Sequence, residues 1–371
     1  MWAGWFALGL WSCSASTALH VAAAGGDVAA AENAVKSGAN VEARDGGGTT
    51  PLGLAVASGN VAMVRLLIDH GADVNARQQG KTPLMLVDHA DVAALLIERG
   101  GAIDAVSDDG LTALMFAAAA GRADLAALLL ERGARADVRD RSGKTVMHHA
   151  AMGNSPALTG ALVAAGGVAN AIDGEKQYPL HLVGARNGPP SAAVVATLIR
   201  AGNPVDAKDG EGRTALCRLA SSEAAARVLI DAGADPNADC GGDGPLLFAA
   251  AAGNRETLAL LMERGAGLPT GGPAGARLLC VAAETGLTDL VSKLLASGVA
   301  VDATDGGDAT ALHRACMRDR LDVARLLLRH GADPQRRASS GAWPGESAAT
   351  CSAERPAMRE LIDETPARKA N

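Results

Sequence analysis

Two histidines stand side by side at His148 and His149, and Gly80-Lys81-Thr82 and Gly143-Lys144-Thr145 look like the ends of phosphate-binding loops. The first pair would serve a metal and the other two a nucleotide, but spacing argues against both. Adjacent residues on a helix point to different sides, so His148 and His149 would not chelate one ion together. A phosphate loop needs a glycine six positions before its lysine, where this chain has Asn75 and Val138. Cys13, Cys217, Cys240, Cys280, Cys316 and Cys351 lie far apart with no Cys-x-x-Cys pair, which reads as neither a disulfide framework nor a zinc module. The chain carries no Ser/His/Asp arrangement, no supported acidic dyad and no His-Glu-x-x-His. The expectation is therefore no catalysis, no metal and no cofactor.

The elements that carry these residues follow from composition and period. The 371 residues are 48% hydrophobic and 20% charged but only 2% aromatic, so several ordinary globular cores could not be filled. A core of Ala, Leu and Val with frequent glycine suits short helices packed closely. The net charge of −7 argues against general nucleic-acid binding. No apolar run approaches the roughly 20 residues of a membrane-spanning helix.

Self-similarity is pervasive. Thr50-Pro51-Leu52-Gly53-Leu54-Ala55 recurs as Thr82-Pro83-Leu84-Met85-Leu86-Val87, and Thr17-Ala18-Leu19-His20-Val21-Ala22 as Thr310-Ala311-Leu312-His313-Arg314-Ala315. Eleven copies start at 17, 50, 82, 112, 145, 178, 214, 244, 277, 310 and 343, and six of the ten intervals are 33 residues. A second phrase sits between them, as Gly38-Ala39-Asn40-Val41, Gly71-Ala72-Asp73-Val74 and Gly331-Ala332-Asp333-Pro334. Each unit reads as helix, turn, helix, glycine stop and a loop with an Asp. Thr caps the first helix with its hydroxyl, and Pro fits the first helical position. The glycine ends the second helix in the left-handed conformation. One such unit cannot bury its apolar face alone, so the units must stack. Leu66, in the second helix of its unit, is expected to be a core position whose loss as Leu66→Ala costs about 2–5 kcal/mol.

Thr-Pro-Leu-His-x-Ala and Gly-Ala-Asp at this period resemble the ankyrin-repeat family over roughly residues 17–363. A tetratricopeptide array has a similar period but lacks the glycine stop and the Asp turn. The resemblance implies an all-α solenoid of helix-turn-helix pairs joined by short β-turn or hairpin loops, acting as a protein–protein interaction scaffold or regulatory binding module. It implies that His20, His148, His181 and His313 tie neighbouring repeats by hydrogen bonds. Cys217 and Cys280 hold the same motif position, which favours packing over a nucleophilic role. It implies too that the loops and first helices line a concave face. Carried onto that face, the contact positions here are Arg77, Gln79, Lys81, Asp108, Arg141, Lys144, Lys176 and Arg213 on loops. Around the first helices they are His89, Met152, Tyr178, Arg186, Met317 and Arg318. The partner expected is another protein with a polar or acidic surface, not nucleic acid. Charge reversal at Arg141 and Lys144 is expected to leave folding intact.

Three units depart from 33 by three residues. Those starting at Thr82 and Thr214 lose about three residues between their helices, and the one starting at Tyr178 gains three through Arg186-Asn187-Gly188-Pro189-Pro190-Ser191. The domain reading is an apolar aromatic segment at 1–16, about ten repeats over 17–337, and a capping repeat and tail over 338–371. Residues 1–16 hold half of the aromatics and read as a cap on the first repeat, an export signal or a membrane remnant. Any membrane contact would come through them. A cytoplasmic location is favoured, with a periplasmic or membrane-associated one as the alternative.

Overall fold

The computed structural model describes residues 15–307, 309–336 and 356–363. Two compact units emerge. The first runs through Gly174 and includes residues 185–187; the second comprises Glu175–Gly184 and the chain from Gly188 onward. The first holds α1 (Ala15–Gly25), α2 (Val28–Lys36), α3 (Pro51–Ala57), α4 (Val61–Asp69), α5 (Pro83–Leu86), α6 (Ala90–Glu98), α7 (Ala113–Ala119), α8 (Ala123–Glu131), α9 (Val146–Gly153) and α10 (Pro156–Ala164). The second opens with a 3-10 turn over Pro179–Leu182. It continues with α11 (Ala192–Arg200), α12 (Ala215–Arg218), α13 (Glu223–Asp231), α14 (Pro245–Ala251), α15 (Arg255–Glu263), α16 (Gly272–Thr285), α17 (Thr288–Ala296), α18 (Ala311–Met317), α19 (Leu321–Arg329) and α20 (Pro356–Asp363). Strand pairing among the described residues is limited to isolated bridges such as Gln78–Lys81 and Arg139–Thr145, at the loop hairpins.

The capping chemistry follows the motif. Thr50 and Thr112 accept from the amides of Gly53 (3.2 Å) and Met115 (3.3 Å), with Pro51 at the start of α3. The second helices start on Asp27, Asn60, Ser155, Ser222 and Asn254, each accepting from the third helical amide. Gly71 and Gly331 end α4 and α19 at φ 92° and 83°, a conformation that a Cβ disfavours. First helix packs on first helix and second on second, as α1–α3–α5 and α2–α4–α6 illustrate.

Leu67, not Leu66, is the buried leucine of α4, alongside Met63 and Val64; Leu66 is half-buried. Positions 63, 64 and 67 share one helical stripe, and a shift of one residue turns a side chain by about 100° away from it. The shortened units lose the last turn of their first helix, so α5 and α12 have four residues each. In the unit with the weak motif at Arg277, α16 starts five residues earlier, at Gly272, with Pro273 in its first turn. Met358 and Ile362 are buried on α20, as a second helix of the capping unit requires. The segment 1–14 and the Trp343 motif lie outside the described residues.

The motif position three residues after each Thr works as a slot between units. His20 donates Nε2–H to the carbonyl of Thr49 (3.0 Å), and His181 does the same to Ala207 (2.9 Å). His181 Nδ1 also accepts from the Tyr178 amide (3.0 Å), and Nδ1 of His148 and of His313 likewise accepts from the amide of Thr145 (3.0 Å) and of Thr310 (3.3 Å). The Cys280 thiol points to the Ala309 carbonyl at 3.5 Å. Gly53 leaves its slot open, and Gln78 of the following loop fills it. The Gln78 Oε1 accepts from the Thr50 amide and its Nε2 donates to the Thr50 hydroxyl, both at 3.3 Å. A Cβ on Gly53 would meet that amide group at 2.0 Å. Cys217 corrects the expectation of no disulfide: it is bonded to Cys240, 23 residues on, and both are buried. The covalent link occupies the place where other units use a histidine hydrogen bond.

Candidate functional site

Several of the loops preceding first helices are held by their own acidic residue. Asp140 Oδ1 accepts from the amides of Ser142 (2.8 Å) and Lys144 (2.9 Å), and Asp209 Oδ1 from those of Glu211 (2.8 Å) and Arg213 (2.9 Å). The second carboxylate oxygen reaches a nitrogen-bearing side chain nine residues on. Asp140 takes His149 Nε2 at 2.9 Å, Asp209 takes Arg218, and Asp305 takes Arg314 Nε at 2.8 Å. This nine-residue pairing was readable in the sequence and escaped the motif reading because it joins a loop to a helix. Burial alone would raise the pKa of all three carboxyls, but these donors outweigh it and hold them below the ordinary carboxylate range.

Burial lowers the His149 imidazole below the ordinary histidine range, against the opposing pull of Asp140, and burial does the same to His181. Histidines kept neutral by folding contribute stability that is complete above about pH 6.5 and lost as pH falls through that value. The depressed carboxyls add a second loss only below about pH 4. The urea midpoint is thus expected to drop between pH 7.5 and 5.5, and His149→Gln to flatten part of that drop. An identical drop in the variant would remove His149 from this account.

Two aromatic rings were missed by the sequence reading. Phe116 and Phe248 occupy equivalent first-helix positions. The Lys81 ammonium lies 5.0 Å from the Phe116 centroid and the Arg213 guanidinium 5.6 Å from that of Phe248. Each cation comes from the loop that leads into the preceding unit, 35 residues earlier. Such pairs position a charge and a ring together where a partner can meet both.

The predicted contact residues divide into holders and presenters. Arg77 donates to the carbonyl of Val106 (2.7 Å) and lies 3.4 Å from Asp108, so both are spent on the loop ladder. Lys144 reaches the Asp173 carboxylate at 3.0 Å, with 13% and 0% side-chain exposure. Reversal there places two carboxylates together, which corrects the expectation that folding would be unaffected. Lys144→Met should destabilise by about 2 kcal/mol, reduced from the fully buried value by the lysine's remaining exposure, whereas Arg141→Glu should be near neutral. Equal urea midpoints for the two variants would overturn this distinction. His89 starts α6 and does not end a first helix, because α5 stops at Leu86. Met152 is buried, and Arg318 binds Glu284 at 2.9 Å. Tyr178 is half-buried with its ring centroid 6.1 Å from that of His181. Gln79, Arg141, Lys176, Arg186 and Met317 are exposed, with Gln79 and Lys176 at φ 49° and 58° on the loop tips. Arg141, Arg186, Phe116 and Met152 line one cavity of about 420 Å³.

No cluster of potential metal ligands occurs among the described residues, and no helix among them is long and apolar enough to cross a membrane. Burial pushes the thiols of Cys280 and Cys316 up to about 12, so both stay protonated at neutral pH.

Comparison with known proteins agrees with the repeat. The family described as "Ankyrin repeats (3 copies)" matches residues 19–105, 87–173, 180–270 and 246–338. The E3 ubiquitin-protein ligase KEG of Arabidopsis thaliana is 32% identical over 136 residues, 34% of this chain and 8% of that protein. The human 2-5A-dependent ribonuclease is 44% identical over 68 residues, 18% of this chain and 9% of its own length. Ankyrin repeat and SOCS box protein 11 of Danio rerio is 38% identical over 100 residues, 27% of this chain and 34% of that one. The chain thus spans at most about a third of these relatives. Repeats of this kind generally bind other proteins and do not catalyse. With its 33-residue period, its slot hydrogen bonds and these matches along its length, the chain belongs to the ankyrin-repeat family.

Proposed function

We propose that the chain is a protein-binding scaffold or regulatory module that works through its loops and first helices and carries out no chemistry of its own. The observation that supports this most is the division of labour on that face. Arg77, Asp108 and Lys144 hold the loops, while Gln79, Arg141, Lys176 and Arg186 stand exposed on the frame so held. A rigid frame presenting charges loses little freedom on binding. The preponderance of Arg and Lys among the exposed groups favours a partner with a polar or acidic surface. Affinity capture from native lysate with the full chain, beside a bait carrying Arg141→Glu, Lys176→Glu and Arg186→Glu, tests the reading. Retention by the first and loss by the second is expected. Equal capture by both would move the interface off this face.

A second reading concerns placement. The Cys217–Cys240 bond favours an exported or envelope-associated protein over a cytoplasmic one, since disulfides persist in oxidising compartments. Residues 1–16 would then serve delivery. Mature protein that retains Met1 and has both thiols free to alkylation would argue for the cytoplasm instead.

A further inference from the structure

The three-residue excess of the unit starting at Tyr178 is docked onto its predecessor. The Arg186 amide donates to the Met152 carbonyl at 3.4 Å. The Asn187 Nδ2 donates to the Gly153 carbonyl at 3.3 Å, and the Asn154 Nδ2 to the Asn187 carbonyl at 3.0 Å. Residues 185–187 are thereby tied to the end of α9, and Arg186 is carried to the cavity of about 420 Å³. That volume falls within the range of cavities that take ligands or partner side chains.

The cavity combines an apolar lining with two guanidiniums that have no direct partner. Phe116 and the buried Met152 supply the apolar part. Arg141 and Arg186 are exposed, and neither guanidinium has a hydrogen-bond or ion-pair partner among the described residues. Asp140 pairs with neither of them, because its oxygens are directed to other donors. Its Oδ1 accepts from the amides of Ser142 and Lys144 and from the Ser142 hydroxyl (2.7 Å), and its Oδ2 takes His149. Asp109 is the remaining acidic group of the lining.

Building on the scaffold reading above, we propose that this cavity anchors a protein partner by one large apolar side chain flanked by carboxylates. The apolar side chain lies against Phe116 and Met152, and the carboxylates pair with Arg141 and Arg186. Guanidinium forks bind carboxylates in a bidentate manner, and an apolar anchor beside them excludes water from the pair. The inserted residues 185–187 exist, on this account, to bring the second arginine to the site.

The test is selection of random linear peptides displayed on phage against the full chain, followed by anisotropy titration of the selected peptides. The expected sequences share one large apolar residue next to Asp or Glu. The Arg141→Glu/Arg186→Glu variant, with unchanged helicity, should weaken binding by about tenfold or more, and Asp109→Asn should strengthen it. Peptides without a common acidic residue would overturn the proposal, as would failure to select any peptide. Acidic peptides insensitive to Arg141 and Arg186 but weakened by Lys176→Glu would overturn the cavity and leave the scaffold face standing. Insensitivity to all three substitutions would overturn both, whereas lysate capture judges the scaffold reading independently of peptides.

Discussion

Leu67→Ala is expected to lower the unfolding free energy by about 2–5 kcal/mol, and Leu66→Ala by only about 1 kcal/mol. Leu67 is fully buried in α4, which packs on α3 within its own unit and on α2 and α6 of the units to either side. Truncation leaves a void bounded by three helices that cannot all close on it, so the cavity cost adds to the lost transfer energy. Leu66 is half-buried and part of its side chain already meets water. Urea titration followed by circular dichroism on both variants decides the matter. Reversal of the order would put the helical stripe one residue away from where the structure places it. Because neighbouring units stabilise one another, a loss of this size at one seam also lowers the cooperativity of the transition.

The second large effect lies at Cys217–Cys240. Reduction of this bond, or Cys217→Ala, is expected to destabilise by about 3 kcal/mol. The bond closes a loop whose ends are 23 residues apart, and opening it restores that much chain entropy to the unfolded state. Oxidised and reduced protein should differ in urea midpoint, while Cys217→Ala should show the reduced midpoint under both conditions. A Cys280→Ala variant serves as the comparison, because Cys280 holds the same motif position with only a thiol-to-carbonyl contact. If oxidised and reduced wild-type protein unfolded together, the covalent bond would contribute nothing beyond the packing of its two side chains.

Period, caps and glycine stops were legible because each is a local property: Thr50 caps α3 and Gly71 ends α4 using atoms within a few residues. The histidine ties were legible through resemblance. What escaped were pairings between units. Nothing local distinguishes Lys144 from Arg141, yet one reaches buried Asp173 and the other is free to meet a partner. Cys217 and Cys240 looked unrelated because the chain offers no short spacing between them; only the slot, which faces the next loop, brings them together. The register error at Leu66 has a similar origin, since a run of Leu66-Leu67-Ile68 leaves the stripe ambiguous by one residue until the neighbouring helices choose. Arg186 was visible as part of an insertion, but its attachment to α9 depends on backbone carbonyls that no side-chain pattern announces.

Gly53 and Gln78 bear on whether repeats of this array are interchangeable modules. The glycine departs from the family motif, and restoring the family's histidine by Gly53→His alone would drive a ring into the space that Gln78 already fills. The unit of exchange is therefore the pair, which joins the first helix and the closing loop of the unit starting at Thr50, as Cys217 and Cys240 do in the unit starting at Thr214. A graft that cuts between Gly53 and Gln78 inherits either two occupants for one slot or none. Chimaeras of this chain should join at seams whose slot holds an apolar residue, such as Met115 or Leu247.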